Sequence, residues 1–235
     1  MNTELDFIQG MFDRIAPRYD FLNRLLSLGQ DIRWRKEMVA AGDVENGSSF
    51  LDAACGTCDV ALEIRKRKKT ACRITGMDFS LKMLFSGKKK INPATPGNTV
   101  NLVAGDALMP PFKPETFDTV FIAFGIRNIM NREKAMKNFR SCLKKNGRLV
   151  VLELSTPGAP ILKGLYFTYF KRLLPLIGRF FSKDRGAYSY LPDSVLRFPP
   201  SEEFAAVMRS AGFISIKWKK MTFGIVTLFV GHKNG

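Results

Sequence analysis

The stretch Phe50-Leu-Asp-Ala-Ala-Cys-Gly-Thr-Cys-Asp59 sets two carboxylates, Asp52 and Asp59, on either side of a turn built from small side chains. Such a loop lets the backbone approach a ligand closely, and the unsatisfied N–H groups opening the next helix favour an electronegative group there. A second apolar run, Ile74-Thr-Gly-Met, ends in Asp78. It lies about twenty residues beyond the loop, the spacing at which a carboxylate meets ribose hydroxyls in nucleotide-binding βαβ units. Loop and acid together imply an adenosine-containing cofactor. A phosphate-cradling loop would end in Gly-Lys-Ser/Thr, and a dinucleotide loop would carry three glycines. This loop has one glycine and no lysine, so it is neither.

Around these residues the chain has 235 positions, 46% hydrophobic and 25% charged, which suits one α/β domain with a full core. No N-terminal stretch has the order of a signal peptide, and no apolar run reaches a membrane span of roughly 18 residues. The expected compartment is the cytoplasm. Cys55 and Cys58 have C-x-x-C spacing but no partner pair, and the one histidine, His232, lies near the end. No metal is expected, and an imidazole is not the expected proton carrier. The net charge of +16 fits a solvated surface, nucleic acid or an anionic membrane. Its clusters at 65–69 and 88–90 fall at the ends of expected helices, where cations complement the dipole. That placement favours the solvated surface, and nucleic acid is not expected as a partner.

The elements that must position the site alternate. Strands are expected at 50–54, 73–77, 100–104, 119–124 and 148–154, with helices at 59–67, 81–90 and 132–145. Gly147 after Lys144, Lys145 and Asn146 reads as a helix stop. The pattern predicts a doubly wound, mostly parallel sheet with ligands at the carboxyl ends of its strands. Upstream, residues 1–45 read as a helical cap broken near Pro17 and Gly29. Downstream, a helix at 201–210 precedes two strands, 213–220 and 225–230, forming an antiparallel hairpin. Residues 157–200 read as a helical insert. Its 161–183 portion, aromatic, leucine-rich and basic, suits a membrane surface, the lining of an oily cavity or an ordinary cover.

The Asp52 to Asp59 loop looks like the first motif of S-adenosylmethionine (SAM) dependent methyltransferases, with Cys58 where the family usually has Gly. The hairpin-ended sheet resembles their seven-stranded class I fold. More specifically, Tyr19-Asp-Phe-Leu-Asn-Arg-Leu-Leu-Ser-Leu-Gly29 with Trp34, Phe124-Gly-Ile-Arg-Asn128, Gly147-Arg-Leu-Val-Val-Leu-Glu153 and Tyr190-Leu-Pro-Asp-Ser194 resemble the ubiquinone and menaquinone biosynthesis C-methyltransferase family. Members often have His-Arg where this chain has Asp31-Ile32, so no role of that His carries over.

The resemblance implies methyl transfer from SAM to a ring carbon of a prenylated hydroquinone, a demethylmenaquinol or a ubiquinone precursor, with the menaquinone type preferred. It also leaves room for contact with a membrane surface and for a homodimer. Such chemistry needs a nucleophilic carbon in line with the methyl group, enriched by loss of a ring hydroxyl proton. Arg127, which stays protonated, with Asn128 and Tyr19, is the expected catalytic set; Arg127 could instead pair with Asp20 and hold the cap. Asp52, Ala54, Gly56, Thr57 and Ala123 are expected around the methionine part, and Asp78 at the ribose. Phe79 and Met83 are expected at the adenine face, and Asp106 and Ala107 at its amino edge. Asp20, Asn23, Tyr188 and Tyr190 are expected at the substrate. The rivals are an RNA or protein methyltransferase, an enzyme acting on another oily phenol, and a SAM-binding partner subunit without turnover. An Asn/Asp-Pro-Pro-aromatic turn, usual for attack through an exocyclic amine, is missing after the fourth strand.

Overall fold

The computed structural model describes residues 3–68, 70–91, 98–158, 164, 166, 168 and 185–235. Seven strands form one sheet: β1 (Ser49–Ala53), β2 (Cys72–Asp78), β3 (Asn98–Ala104), β4 (Phe117–Ala123), β5 (Leu143–Leu154), β6 (Ile214–Met221) and β7 (Val226–His232). Their order is β3-β2-β1-β4-β5-β7-β6, with β7 running against both neighbours and the other pairings parallel. Strand order reverses between β1 and β4, where such sheets open a crevice at their carboxyl ends.

Consecutive strand residues point to opposite faces, and both faces are apolar. Leu51, Val120, Ile122, Leu149 and Val151 face one core, covered by α6 (Arg132–Cys142) and α8 (Ser201–Ser210). Phe50, Ile74, Phe121, Val150 and Leu152 face the other, covered by α3 (Gln30–Ala41) and α4 (Asp59–Arg67). α5 (Leu81–Lys90) adds Leu84 to that second core.

The cap is three helices: α1 (Thr3–Ile15), α2 (Tyr19–Leu26) and α3. The chain breaks where expected, at a 3-10 turn containing Pro17 and at Gly29, whose φ of 76° suits a residue without Cβ. Trp34 Nε1 donates to Thr222 Oγ1 at 2.8 Å, tying the cap to the turn between β6 and β7. α7 (Arg185–Leu196) completes the described part of the insert. Of the expected surface or cavity stretch at 161–183, all but Gly164, Tyr166 and Thr168 lies outside the described residues.

One expectation fails locally. The helix expected to reach Lys145 stops at Cys142, and β5 starts at once, Leu143 pairing with Phe117. The Ser141 and Cys142 carbonyls accept N–H groups from Glu115 and Thr116, and Lys144 Nζ reaches Asp118 Oδ1 at 2.9 Å. Register then shifts before Thr119 meets Arg148, with Asn146 at φ 59°. The basic-Asn-Gly run that resembles a helix stop is thus a bulged strand entry.

Two glycines make room for the loop's sulfurs. A Cβ at Gly76 would lie 3.0 Å from Cys55 Sγ, and one at Gly87 would lie 2.4 Å from Cys58 Sγ. Gly87→Ala is therefore expected to cost about 1–3 kcal/mol by overpacking. Adding Cys58→Gly, which removes the sulfur at a residue with φ 69°, should recover most of that loss in thermal unfolding.

Candidate functional site

The loop after β1 holds Ala54, Gly56 and Cys58 at φ 51°, 52° and 69°. Gly56 N donates to Asp78 Oδ2 at 2.8 Å and Ser80 N to Asp78 Oδ1 at 2.9 Å. Backbone hydrogens thus occupy part of the Asp78 carboxylate, and an ionised carboxylate has roughly four acceptor positions. Burial raises the Asp78 pKa, against the lowering effect of backbone hydrogen bonds from Ser80, Gly56 and Phe79. Asp52 lies deeper, 1% exposed, accepting the Ala61 N–H at 3.1 Å and so pinning the first turn of α4.

Above the loop a cavity of about 300 Å³ opens at the β1/β4 crossover. Ala54, Gly56, Asp78, Phe79, Met83, Asp106, Ala107, Ala123, Asn128 and Tyr19, all expected site residues, line it. Asp6, Ile8, Gln9 and Phe12 of α1 close it from above, a contribution that their sequence does not announce. The signal was weak because α1 precedes every motif. What ties it down is tertiary: Gln9 Nε2 donates to the Phe79 carbonyl at 3.2 Å, and Ser80 Oγ to Asp13 Oδ1 at 2.6 Å.

Several expected residues stand outside this lining. Asp52 and Thr57 support the loop from below and beside. Thr57 Oγ1 donates to Asp20 Oδ1, and Asp20 Oδ2 accepts Lys90 Nζ at 2.7 Å. Asp20 is thereby a tie between cap, loop and α5. Lys90 also reaches Asp59 at 2.5 Å; Arg24 meets Asp59 at 3.0 Å and also pairs with Asp31, which Arg35 holds from one turn on. Burial works against the Asp59 charge, but Arg35, Lys90 and Arg24 together lower its pKa. Asn23 lies one turn beyond Tyr19, its Nδ2 buried without a hydrogen-bond partner among the described residues. Tyr188 falls in α7, its side chain outside the described residues.

Arg127 does not pair with Asp20. Its Nη1 donates to Glu153 Oε1 at 2.8 Å and to the Phe124 carbonyl, its Nε to Ser194 Oγ at 3.3 Å, and its backbone N–H to Glu153 Oε2 at 3.1 Å. Glu153, which closes the Gly147 to Glu153 motif on β5, is fully buried. Burial opposes the Arg127 charge, but Glu153 and Tyr19 outweigh it and raise the pKa, so the guanidinium stays charged. Next door, Tyr190 Oη donates to Asn128 Oδ1 at 3.0 Å, joining α7 to the cavity wall. Burial raises the Tyr19 pKa, against the lowering influence of Arg35 and, more weakly, of Arg127.

These residues fit an adenosine-bearing sulfonium donor. Asp78 keeps acceptor positions for ribose hydroxyls, while Phe79, Met83, Ile8 and Leu108 supply an apolar slot for a purine. The loop is open where a ligand would approach, since a Cβ at Gly56 would meet only Tyr19 Cε1, at 3.8 Å.

The sequence matches the ubiE/COQ5 methyltransferase family over residues 1–233. The chain belongs to that family. It is similar to the ubiquinone/menaquinone biosynthesis C-methyltransferase UbiE of Geotalea uraniireducens, 46% identical over 96% of both chains. It is also similar to the demethylmenaquinone methyltransferase of Thermus thermophilus, 42% identical over 95% of this chain and all of that one. Among solved structures, it resembles a phosphoethanolamine N-methyltransferase 2 of Haemonchus contortus in complex with SAM (TM-score 0.62, 15% identity, 83% of this chain and 51% of that one). It also resembles the [4+2]-cyclase SpnF, with a higher TM-score (0.69, 15% identity, 97% of this chain and 95% of that one). At such identity the likeness is one of fold, and a fold shared with a cyclase leaves the chemistry to the site. Among the described residues no cluster of three or more His, Cys, Asp or Glu could hold a metal, and no helix is long and apolar enough to cross a membrane.

Burial pushes the Asp52 carboxyl from its ordinary 3.8 up to about 8. Between those values the folded methyltransferase holds a proton that the unfolded chain has lost, so this group's contribution makes stability fall as pH rises. Asp52→Asn keeps an acceptor for the Ala61 N–H and cannot ionise. Its stability relative to the parent should rise from pH 4 to pH 8, by up to about 1.4 kcal/mol per pH unit, and level off above. Denaturant melts across that range measure it.

Proposed function

We propose that the methyltransferase transfers the methyl group of SAM to a ring carbon of a prenylated hydroquinone in quinone biosynthesis, with demethylmenaquinol as substrate. The names of its UbiE and demethylmenaquinone methyltransferase relatives support this reading. The observation that carries it is a charged Arg127 fixed by buried Glu153 immediately before Asn128, which lines the same cavity as Asp78 and Tyr19.

When bound, SAM supplies an already electrophilic methyl group. Asp78 takes the ribose hydroxyls, Phe79 and Met83 flank the adenine, and Asp106 with Ala107 meets its amino edge. Gly56 and the loop amides, with Ala54 and Ala123 beneath, seat the methionine part. What remains is to make a ring carbon nucleophilic, which requires negative charge on a neighbouring ring oxygen. Arg127 is held charged and immobile by buried Glu153. Its Nη2 carries no hydrogen bond among the described residues and is the donor left for that oxygen. A fixed cation in a water-poor crevice lowers the pKa of a ring hydroxyl and stabilises its anion without reorganisation. Arg127 cannot take the proton itself and instead orients a water that accepts it. The methyl–sulfur bond breaks to leave S-adenosylhomocysteine as the carbon–carbon bond forms, and the ring carbon's own proton then leaves to solvent. Asn128, its Oδ1 occupied by Tyr190, keeps its amide N–H groups for the same oxygen or its neighbour. Tyr19, with its raised pKa, stays protonated and donates from the cap side. Asp20 and Asn23 extend that side, and Tyr188 and Tyr190 bring phenols from the insert to the prenylated end. The site is read as cytoplasmic, working against the membrane surface that holds such a substrate.

Arg127→Ala should lower kcat by about 10²- to 10³-fold, the usual value of one preorganised charge-stabilising group, while SAM affinity by calorimetry stays within a few-fold. Asp78→Ala should do the opposite first, weakening SAM binding at least tenfold. Mass spectrometry of products from SAM with demethylmenaquinol and a ubiquinone precursor in competition tests the substrate; methylation of neither would defeat the reading.

A further inference from the structure

α5 has two unlike faces. Inward, Met83, Leu84 and Gly87 are buried, Met83 lining the cavity and Gly87 packed against the cofactor loop. Outward, Leu81 and Phe85 are 55% and 62% exposed, one turn apart and therefore neighbours on the same stripe. The helix carries four lysines and no acid. Lys90 is engaged by Asp20 and Asp59, whereas Lys82, Lys88 and Lys89 have no acidic partner among the described residues.

We propose that this outer face seats the methyltransferase on an anionic bilayer, Leu81 and Phe85 entering the interfacial layer while Lys82, Lys88 and Lys89 face lipid phosphates. Two exposed apolar side chains ringed by uncompensated lysines are the pattern of an interfacial helix. A second copy of the chain is a poor occupant, because a face of like charge on a protein of net charge +16 repels itself. The position is also apt. Ser80, which caps α5, holds Asp13 of α1, so the membrane face and the helix closing the cavity form one body. A bilayer seated there lies about one helix diameter, roughly 10 Å, from the Met83 wall of the site. The proposal rests on the reading that the substrate is a membrane lipid.

The test is co-sedimentation with vesicles of phosphatidylcholine alone or mixed with phosphatidylglycerol. The full chain should partition onto the mixed vesicles and be released by salt. Lys88→Gln with Lys89→Gln should weaken that partitioning about thirtyfold, the equivalent of about 1 kcal/mol per surface lysine. Leu81→Ser with Phe85→Ser should weaken it by at least tenfold, with SAM affinity and melting temperature unchanged in both variants. Absence of vesicle binding by the parent chain, binding by both variants as tight as the parent's, or a variant effect seen only as a change from dimer to monomer would overturn the proposal. Vesicle binding needs no turnover. A chain that binds vesicles but methylates no quinol would sink the substrate reading alone, and one that methylates a short-chain quinol without binding vesicles would sink this one alone.

Discussion

Three residues of the cofactor loop, Ala54, Gly56 and Cys58, lie at positive φ within five positions, and two of them have a Cβ. A non-glycine residue in that region costs on the order of 1–2 kcal/mol, so the loop persists only because its surroundings over-determine it. Asp78 holds it from β2 by the Gly56 N–H, and Asp52 anchors the following helix from beneath. Asp20 grips Thr57 from the cap, and Gly76 and Gly87 leave the space that its two sulfurs fill. Strain of this kind holds backbone amides and a carboxylate in place before any ligand arrives, which is the condition for tight and oriented binding.

The same constraint explains why the cap is fastened with charges. In α2 Leu22 is the one buried residue, so apolar packing alone would hold that helix weakly. Lys90, Arg24 and Arg35 instead converge on Asp20, Asp31 and Asp59, partly screened from water, where opposite charges act more strongly than at a surface. α3, by contrast, buries Trp34, Met38 and Val39 against the sheet, so the ion pairs fasten α2 to a helix already fixed by the core.

At the other end of the crevice a different solution operates. Glu153 is buried with no exposure and Arg127 nearly so, and each satisfies the other through side chain and backbone. A buried pair of this sort adds little to stability over an apolar substitute. What the pair does is fix a charged guanidinium beside the wall of the cavity. Ser194 and Tyr190, both from α7, complete the arrangement, tying that helix to Arg127 and Asn128.

From sequence alone the alternating strands and helices of a mostly parallel sheet, the antiparallel hairpin and the strand-end placement of Gly56, Asp78, Asp106 and Asn128 are legible, from local periodicity and from the rule that parallel strands present their ligands at one end. The seven-stranded fold is what the family resemblance implies, and the strand order comes from the structure. The end of α6 was misread because Lys-Lys-Asn-Gly satisfies a helix stop and a bulged strand entry equally well, and only pairing with Phe117 separates them. The partner of Arg127, the tie between Asp20 and Lys90, and the closure of the cavity by α1 were settled by the tertiary structure. These contacts join residues 26, 70 and about 70 positions apart. Sequence spacing constrains what a helix or strand places on one face; it carries no information on which charge meets which across elements packed together from distant parts of the chain.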